Sequence, residues 1–344
     1  MTKRARAMTG ALAIALVAAG CSGTSEELPT PVVEETQNQT TDADGVPQSE
    51  RADQVLQAVG KALDKVFEAK SIDGSEDRIT GPAAQALAAE FSLNERFGSE
   101  ITKITTEGAA SSWAASEEFP RVAMAVTNEA EGENSPQLLV LSQEDGKANY
   151  KLWGYASLFP RDTELEFSTD TEALAPTDGE GLVASPEDVV AQYGLRYSGV
   201  AVDVPFGIDA LQQSISDKRK ALKASVGETG EATIVGRRKA DVAPLTISTT
   251  DGGAVAMAPF EYELKIKRTD PGATITVGDQ LAMAINESKD ETSYEVQDEL
   301  VATYDLMVAF YIPPTDGGEV MAIAASTPYL RSITDSGKSE EDEE

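Results

Sequence analysis

Apolar side chains recur every three or four positions from Arg51 onward, which is the spacing of one helix face. They are Val55, Leu56, Val59, Leu63, Val66 and Phe67. Polar residues fill the intervening positions, so the pattern predicts an amphipathic helix. Pro82 indicates the start of a second helix, because a first turn leaves its amides unpaired and proline has none. Leu87 and Phe91 would be its buried residues, with Phe97 as a third candidate, and Gly98 would end it.

After Gly98 the apolar period changes from helix to strand. We expect four strands, which cover residues 101–107, 121–128, 137–143 and 150–159. Within the third, residues 138–141 are all apolar. Strands that are buried on both faces have this composition, so we expect the third to be central in its sheet.

A second unit begins with Ser185-Pro186-Glu187-Asp188, which places a capping hydroxyl, a proline and two acids at a helix start. This helix is expected to end before Gly194. Ile208, Leu211, Ile215 and Leu222 predict a longer helix that ends near Gly227.

The strands of the second unit have a period of two. Apolar and charged residues alternate through 260–266. In 302–312 every second residue is apolar and is expected to point inward, and a further strand is expected at 320–327. A strand with one buried and one solvated face has this pattern, which is typical of antiparallel sheets.

Both halves of the chain therefore have two helices followed by strands. We predict an α+β fold of two tandem domains, each with two or more helices packed on a curved antiparallel sheet. The arrangement resembles the folds of nuclear transport factor 2 and of cystatins. The predicted organisation is a leader (1–20), a disordered acidic tether (21–50), a first domain (51–165), a linker (166–184), a second domain (185–334) and an acidic tail (335–344).

The leader has three bases within its first six residues, then an apolar stretch from Met8 to Ala19, then Cys21. The stretch is shorter than the roughly 20 residues of a membrane-spanning helix. Small residues before a thiol resemble a bacterial lipoprotein signal, in which the cysteine is acylated. We therefore expect a membrane protein anchored through a lipid on Cys21, on the extracytoplasmic face. The alternative is a secretory signal cut elsewhere.

Charge and histidine content narrow the function. The formal net charge is −31, and it becomes −34 without residues 1–20, which hold three bases and no acid. Such a surface repels phosphate backbones and anionic headgroups, so we expect no nucleic-acid partner. The chain has no histidine, which excludes a Ser-His-Asp nucleophile and His-ligated metal sites.

Four segments together resemble a family of uncharacterised lipoproteins from high-GC Gram-positive bacteria. They are residues 51–64, the strand 138–141 leading into Trp153, the segment 185–190 and Asp251-Gly252-Gly253-Ala254-Val255. The resemblance covers about residues 51–330. It implies a location and an architecture, but no activity and no site residues.

One region departs from the acidic background. Residues 218–268 contain ten bases and six acids, a local balance of +4. The candidate patch for an anionic partner consists of Lys218, Arg219, Lys220, Lys223, Arg237, Arg238 and Lys239. A phosphate-bearing lipid, an envelope polymer or an acidic protein could bind such a patch. The alternative is that these bases pair with the surplus carboxylates.

No nucleophile elbow, calcium loop or dinucleotide fingerprint occurs in a suitable context. We therefore expect a non-catalytic binding or scaffolding module of the cell envelope, with an envelope protein or polymer as partner and with no cofactor or metal. Two alternatives stay open. A solute-binding lipoprotein would need a closed apolar pocket, and a polysaccharide hydrolase would need two carboxylates with unequal pKa values.

Overall fold

The computed structural model describes residues 48–107, 109–113, 119–127, 135–160 and 178–338. In these ranges the chain is an α+β protein with five helices and twelve strands. The helices are α1 Gln48–Ala69, α2 Gly81–Phe97, α3 Pro186–Tyr197, α4 Ala210–Val226 and α5 Asp279–Ile285. The strands are β1 Ala110–Trp113, β2 Arg121–Val126, β3 Gln137–Gln143, β4 Lys151–Leu158, β5 Gly230–Arg238, β6 Leu245–Ser248, β7 Ala254–Arg268, β8 Thr276–Gly278, β9 Ser293–Glu295, β10 Glu299–Ile312, β11 Met321–Ala325 and β12 Tyr329–Asp335.

The two helices predicted for the first half are confirmed. Helix α1 starts at Gln48, inside the segment predicted as tether, and α2 ends at Phe97 with Gly98 as its C-cap. Gly98 has a left-handed φ of 70°, and its N–H donates to the carbonyl of Asn94. Phe67 of α1 and Phe91 of α2 meet edge to face, with ring centroids 6.0 Å apart. The apolar periodicity therefore identified the surfaces through which these helices pack.

The prediction of a strand at residues 101–107 is wrong, because this segment pairs with no other strand. Side chains satisfy its backbone instead. The N–H of Thr102 donates to the Glu90 carboxylate at 2.6 Å, and the Lys103 carbonyl accepts from the Gln137 side chain at 3.0 Å. Ile104 is buried in the core, which explains the strand-like alternation.

Helix α3 begins at the predicted cap, where the Ser185 hydroxyl accepts from the Asp188 N–H at 3.1 Å. It does not end before Gly194, as predicted, but continues to Tyr197. Gly194 has a packing role: a Cβ there would lie 2.9 Å from the Cα of Arg237 in β5. The glycine lets helix and strand approach closely, and Gly199 with φ 85° terminates the helix.

Ten of the twelve strands, from both halves, form one antiparallel sheet, and β8 and β9 pair separately. The order of the large sheet is β1-β2-β3-β4-β11-β10-β7-β5, with β12 paired to β10 and β6 paired to β7. The halves join where β4 pairs with β11, at Leu158 opposite Ala324. Part of the predicted linker is also packed, since Leu182 forms a bridge with Pro314.

The sheet curls until it is nearly closed. Gly154 in β4 faces Met257 of β7 and Met307 of β10, although β11 and β10 lie between β4 and β7 in the sheet. A Cβ at Gly154 would lie 2.8 Å from the sulfur of Met257 and 3.2 Å from that of Met307. Strand β6 also lies beside β2. The methionines thus fill the space inside the curl.

Two hydrophobic cores lie on the two sides of the long strands β7 and β10. Met257 and Met307 belong to the first core, with α1 and α2. Ala256 and Phe310, on the opposite faces of the same strands, belong to the second core, with α3 and α4. Alternate residues of one strand point to opposite faces, so both halves depend on the same two strands.

Strands β1, β5 and β6 were not predicted from the sequence, nor were helix α5 and strands β8, β9 and β12 at the end of the second half. Asp335 at the end of β12 holds this region together. Its carboxylate accepts from the Gln297 N–H at 2.7 Å, from the Asp298 N–H at 3.1 Å and from the Tyr294 hydroxyl at 3.1 Å.

Candidate functional site

The three patch residues at the end of β5 are paired on different sides of the sheet. Arg237 contacts Glu263 at 2.7 Å and Glu261 at 3.3 Å, and both acids lie on the face of β7 that points away from α3. Arg238 points the other way and contacts Glu187 of α3 at 3.3 Å. Successive residues of a strand alternate in direction, so these bases cannot form one surface.

Lys239 belongs to a partly buried polar cluster. Its Nζ lies 2.5 Å from the Asp305 carboxylate, which is 4% exposed. Arg331 contacts the same carboxylate at 3.2 Å, and the Tyr329 hydroxyl donates to it at 3.4 Å. A carboxylate buried to this degree requires charged or hydrogen-bonding partners. The role of Lys239 is therefore accounted for within the fold.

The four patch residues on α4 differ from one another. Lys220 pairs with Asp217 at 3.0 Å on the exposed face, and Arg219 donates to the carbonyl of Tyr197 at the end of α3. Lys218 is half-buried, and burial lowers its pKa. Lys223 is exposed, and no carboxylate in the described part of the chain pairs with it. The seven predicted bases thus lie on separate surfaces, and those with the fewest acidic partners are on α4.

Cys21, the predicted lipidation site, lies outside the described residues, as do the leader and most of the predicted tether.

Glu90 is a buried carboxylate of α2. It accepts from the Thr102 N–H at 2.6 Å and from the Tyr155 hydroxyl at 3.1 Å. Burial raises the pKa of Glu90 above its ordinary value, and the two hydrogen bonds oppose that rise. Burial and the nearby Glu90 charge also raise the pKa of Tyr155. Both groups join α2 to β4, which is a structural role.

Asp209 is the second buried carboxylate with a raised pKa, and burial is again the main cause. It caps α4 by accepting from the Gln212 N–H at 2.8 Å, and it accepts from the Tyr193 hydroxyl at 2.8 Å. Tyr193 packs edge to face against Phe310 and Phe206. The carboxylate therefore fixes the start of α4 against the aromatic part of the second core.

The described residues contain no group of three or more acidic or thiol side chains that could hold a metal ion. None of the helices in the described ranges is long and apolar enough to cross a membrane.

The most distinctive surface of the described residues is the turn between α3 and α4. Four large hydrophobic side chains are exposed in the described part of the chain, and three of them lie here. Ile208 is 76% exposed, Val200 52% and Leu195 49%. We call these three residues and their surroundings the α3–α4 corner. Clustered apolar exposure indicates an interaction surface, whereas single exposed residues are ordinary.

Hydrogen bonds fix the geometry of the corner. The Gln192 side chain accepts from the N–H groups of Asp203 and Val204, both at 2.9 Å. Arg196 donates to the Gly207 carbonyl at 2.8 Å, and its guanidinium lies over the Phe206 ring. The connection is therefore held against α3, so its exposed side chains have defined positions.

Local structure explains two of the exposed residues in part. Gly199 and Val200 close a Schellman motif, in which the Val200 N–H donates to the Leu195 carbonyl at 3.0 Å. A contact between these two side chains commonly accompanies the motif. Ile208 has no such explanation. It stands one residue before the cap, where a hydrophobic staple would need an apolar residue at position 213, and Gln213 is there.

The charges around the corner are mixed and show no excess of cations. Residues 186–226, which include α3, the connection and α4, contain five bases and five acids. Gly199 lies close to the Arg219 guanidinium, and the acid Glu319 lies beside Gly207. The corner therefore has almost no net charge of its own.

Sequence reasoning missed the corner because it assigned Ile208 to the buried face of α4. The available signal was Asp209, a strong N-cap residue. A cap at Asp209 places Ile208 outside the helix, where helical periodicity no longer assigns it a face.

Comparison with known proteins identifies no relationship: no protein-family description matches the chain, and no characterised protein matches it in sequence.

Proposed function

We propose that this protein is a lipoprotein of the cell envelope, anchored through Cys21 on the outer face of the membrane, and that it acts as a non-catalytic binding or scaffolding module. The anchor is inferred from the three early bases, the apolar stretch and the small residues before Cys21. The binding role rests on one observation, the gathering of exposed aliphatic side chains at the α3–α4 corner.

The buried carboxylates favour binding over hydrolysis. A hydrolase of this type needs two acids that face a substrate and have unequal pKa values. Glu90 and Asp209 have raised pKa values, yet each accepts a backbone N–H and a tyrosine hydroxyl. Asp305 contacts Lys239 and Arg331. These partners give each acid a structural role.

The anchor is tested by replacing Cys21 with Ala and following the protein in cell fractions. We expect the wild type in the membrane fraction and the variant in the medium or the soluble envelope fraction. Cys21→Ser provides a second variant that also lacks the thiol. Retention of both variants on the membrane to the same extent as the wild type would refute lipid anchoring.

The binding role is tested by covalent capture from intact cells, with wild type and an Ile208→Asp variant compared in parallel. We expect a specific adduct that the variant loses. Hydrolysis of envelope polysaccharide by the purified protein, abolished by Glu90→Gln, would instead support an enzyme.

We also propose that the two halves correspond to tandem units related in architecture to nuclear transport factor 2 and cystatins, within the lipoprotein family named above. Support comes from the repeated order of two helices followed by strands, and from the two cores.

A further inference from the structure

We infer that residues 99–107 form a pH-controlled strap, which is held closed against the first core when Glu90 is protonated and is released when Glu90 is ionised. This segment lies between α2 and β1 in the chain, and we call it the 99–107 strap. The inference is independent of the lipid anchor and of the α3–α4 corner. It gives Glu90 a conformational role beyond joining α2 to β4.

Three side chains hold the backbone of the strap. In the described part of the chain, no backbone–backbone hydrogen bond joins residues 99–107 to another residue. Asn94 and Gln137 donate from their side chains to strap carbonyls, at 2.7 and 3.0 Å. The third bond is to Glu90, whose carboxylate accepts from the Thr102 N–H at 2.6 Å. Of these three side chains only Glu90 titrates.

The strap covers part of the first core. Ile104 is 4% exposed, and Thr106 lies against α1, where a Cβ at Gly60 would be 2.5 Å from its Oγ1. A segment with so few backbone hydrogen bonds belongs to the least stable part of a fold and opens without global unfolding. Opening would expose Ile104 and the apolar surface beneath it.

Glu90 is buried without a compensating cation. It is 5% exposed, and it forms no ion pair with any described residue. Besides Thr102, its neighbours are the hydroxyl of Tyr155 in β4, at 3.1 Å, and Tyr329 of β12, whose pKa the Glu90 charge raises. Asp305 of β10 lies behind Tyr329 and accepts from its hydroxyl. A carboxylate at this depth is costly when no opposite charge faces it.

The bases of the elements around α2 do not supply that charge. Lys151 at the start of β4 acts on Glu76 instead, and Arg331 of β12 pairs with Glu261 and Asp305. Asp279 of α5 is itself an acid. The remaining charged side chains of α1 after Arg51, of α2 and of the strap are exposed: Asp53, Lys61, Asp64, Lys65, Glu68, Lys70, Glu95, Arg96, Glu100, Lys103 and Glu107.

The closed strap suits the protonated form of Glu90. A neutral carboxyl keeps both hydrogen bonds, because its carbonyl oxygen accepts from the Thr102 N–H and its hydroxyl donates to the oxygen of Tyr155, which can accept as well as donate. The ionised carboxylate in the closed strap has given up its water without gaining an opposite charge. Opening of the strap returns that water to the carboxylate.

The pKa of Glu90 has the direction that this mechanism requires. Burial raises the pKa above the ordinary value of 4.5, and the hydrogen bonds from Thr102 and Tyr155 oppose the rise without cancelling it. The closed strap therefore binds the proton more tightly than the open strap. The open fraction should be smallest below pH 4.5 and should increase as pH rises through the raised pKa.

The test measures amide hydrogen exchange of the purified full chain at single-residue resolution between pH 4.5 and 8, with the intrinsic exchange rate at each pH divided out. The Thr102 amide reports opening of the strap, and the amide of Leu139, which is buried in β3, reports global unfolding. We expect the opening constant of Thr102 to exceed that of Leu139 at least about tenfold. In the wild type it should rise at least about threefold over this pH range. In Glu90→Gln, whose neutral amide resembles the protonated acid, it should stay constant.

Two further variants separate ionisation from simple loss of a bond. Gln137→Ala removes the uncharged bond to the strap, so it should raise the opening constant of Thr102 about fivefold, by the same factor at every pH. Tyr155→Phe removes a donor to the ionised carboxylate, so the rise with pH should be larger than in the wild type. This second variant also decides the question if Glu90→Gln does not fold.

Three outcomes would overturn the inference. The first is an opening constant of Thr102 that stays level or falls as the pH rises in the wild type. The second is equal opening constants for Thr102 and Leu139, which would mean that the strap opens only when the whole chain unfolds. The third is a rise with pH in Glu90→Gln as large as in the wild type, or a rise in Tyr155→Phe no larger than in the wild type.

Discussion

Replacing Gly194 with Ala should destabilise the protein, although alanine is the better helix residue. Gly194 lies in the body of α3, directly against β5. An added Cβ would lie 2.9 Å from the Cα of Arg237, 3.2 Å from the Gly236 carbonyl oxygen and 3.3 Å from the Arg237 nitrogen. All three neighbours are backbone atoms, so no side chain can rotate away.

The expected magnitude follows from two opposing effects. Carbon atoms pack at about 3.5–4.0 Å, so α3 must move away from β5 by several tenths of an ångström. This movement disturbs Tyr193 and Tyr197, which are fully buried on the same helix, and overpacking of this kind costs about 1–3 kcal/mol. Alanine recovers about 1 kcal/mol through helix propensity. We therefore expect a net loss of up to about 2 kcal/mol in the free energy of unfolding.

The assay is urea denaturation of wild type and variant, with the denaturant dependence checked for constancy. Ala221→Gly provides the calibration, because Ala221 is exposed on α4 and reports helix propensity alone. The reasoning would be refuted if Gly194→Ala stabilised the protein by the same amount by which Ala221→Gly destabilises it. This result would mean that the close approach of α3 and β5 has no energetic consequence.

Two further predictions concern the buried carboxylates. Because burial raises the pKa of Glu90 above 4.5, the native state binds this proton more tightly than the unfolded chain, and stability should fall as pH rises through the shifted pKa. Glu90→Gln should reduce this loss of stability, measured by denaturation at several pH values between about 4 and 8. Some loss should remain, because the pKa of Asp209 is raised as well. An unchanged pH dependence of stability would contradict the role given to Glu90. Tyr193→Phe should cost about 1–3 kcal/mol, because Asp209 loses a buried hydrogen bond. Tyr304→Phe removes a hydroxyl that has no hydrogen-bond partner among the described residues, so it should cost much less. Equal losses in the two tyrosine variants would show that the bond to Asp209 contributes nothing.

The local elements could be predicted because their causes are local. The apolar spacing from Val55 to Phe67 and the cap at Ser185 depend on neighbours within a few residues, and both helices form where expected. Strand β3 has the predicted bounds. Gly194 was misread as a helix end, because the reason for a glycine there lies on β5, about 40 residues further along the chain.

The sheet and the candidate surface depend on contacts that no local pattern records. The pairing of Leu158 with Ala324 joins residues far apart in the sequence. Counting bases between 218 and 268 identified a charged region but not its arrangement, because the acids that neutralise Arg238 and Lys239 are Glu187 and Asp305, outside that window. The corner was missed for a different reason, a helix boundary misplaced by one or two residues at Ile208.

The two long strands have a consequence for how this chain can change over evolution. Neighbouring residues such as Met257 and Ala258 pack in different cores. A substitution that suits one half therefore shifts the backbone on which the other half depends. Neither half can be exchanged between related proteins as an independent module unless β7 and β10 are exchanged with it. The halves must accordingly diverge together, as a single inherited unit.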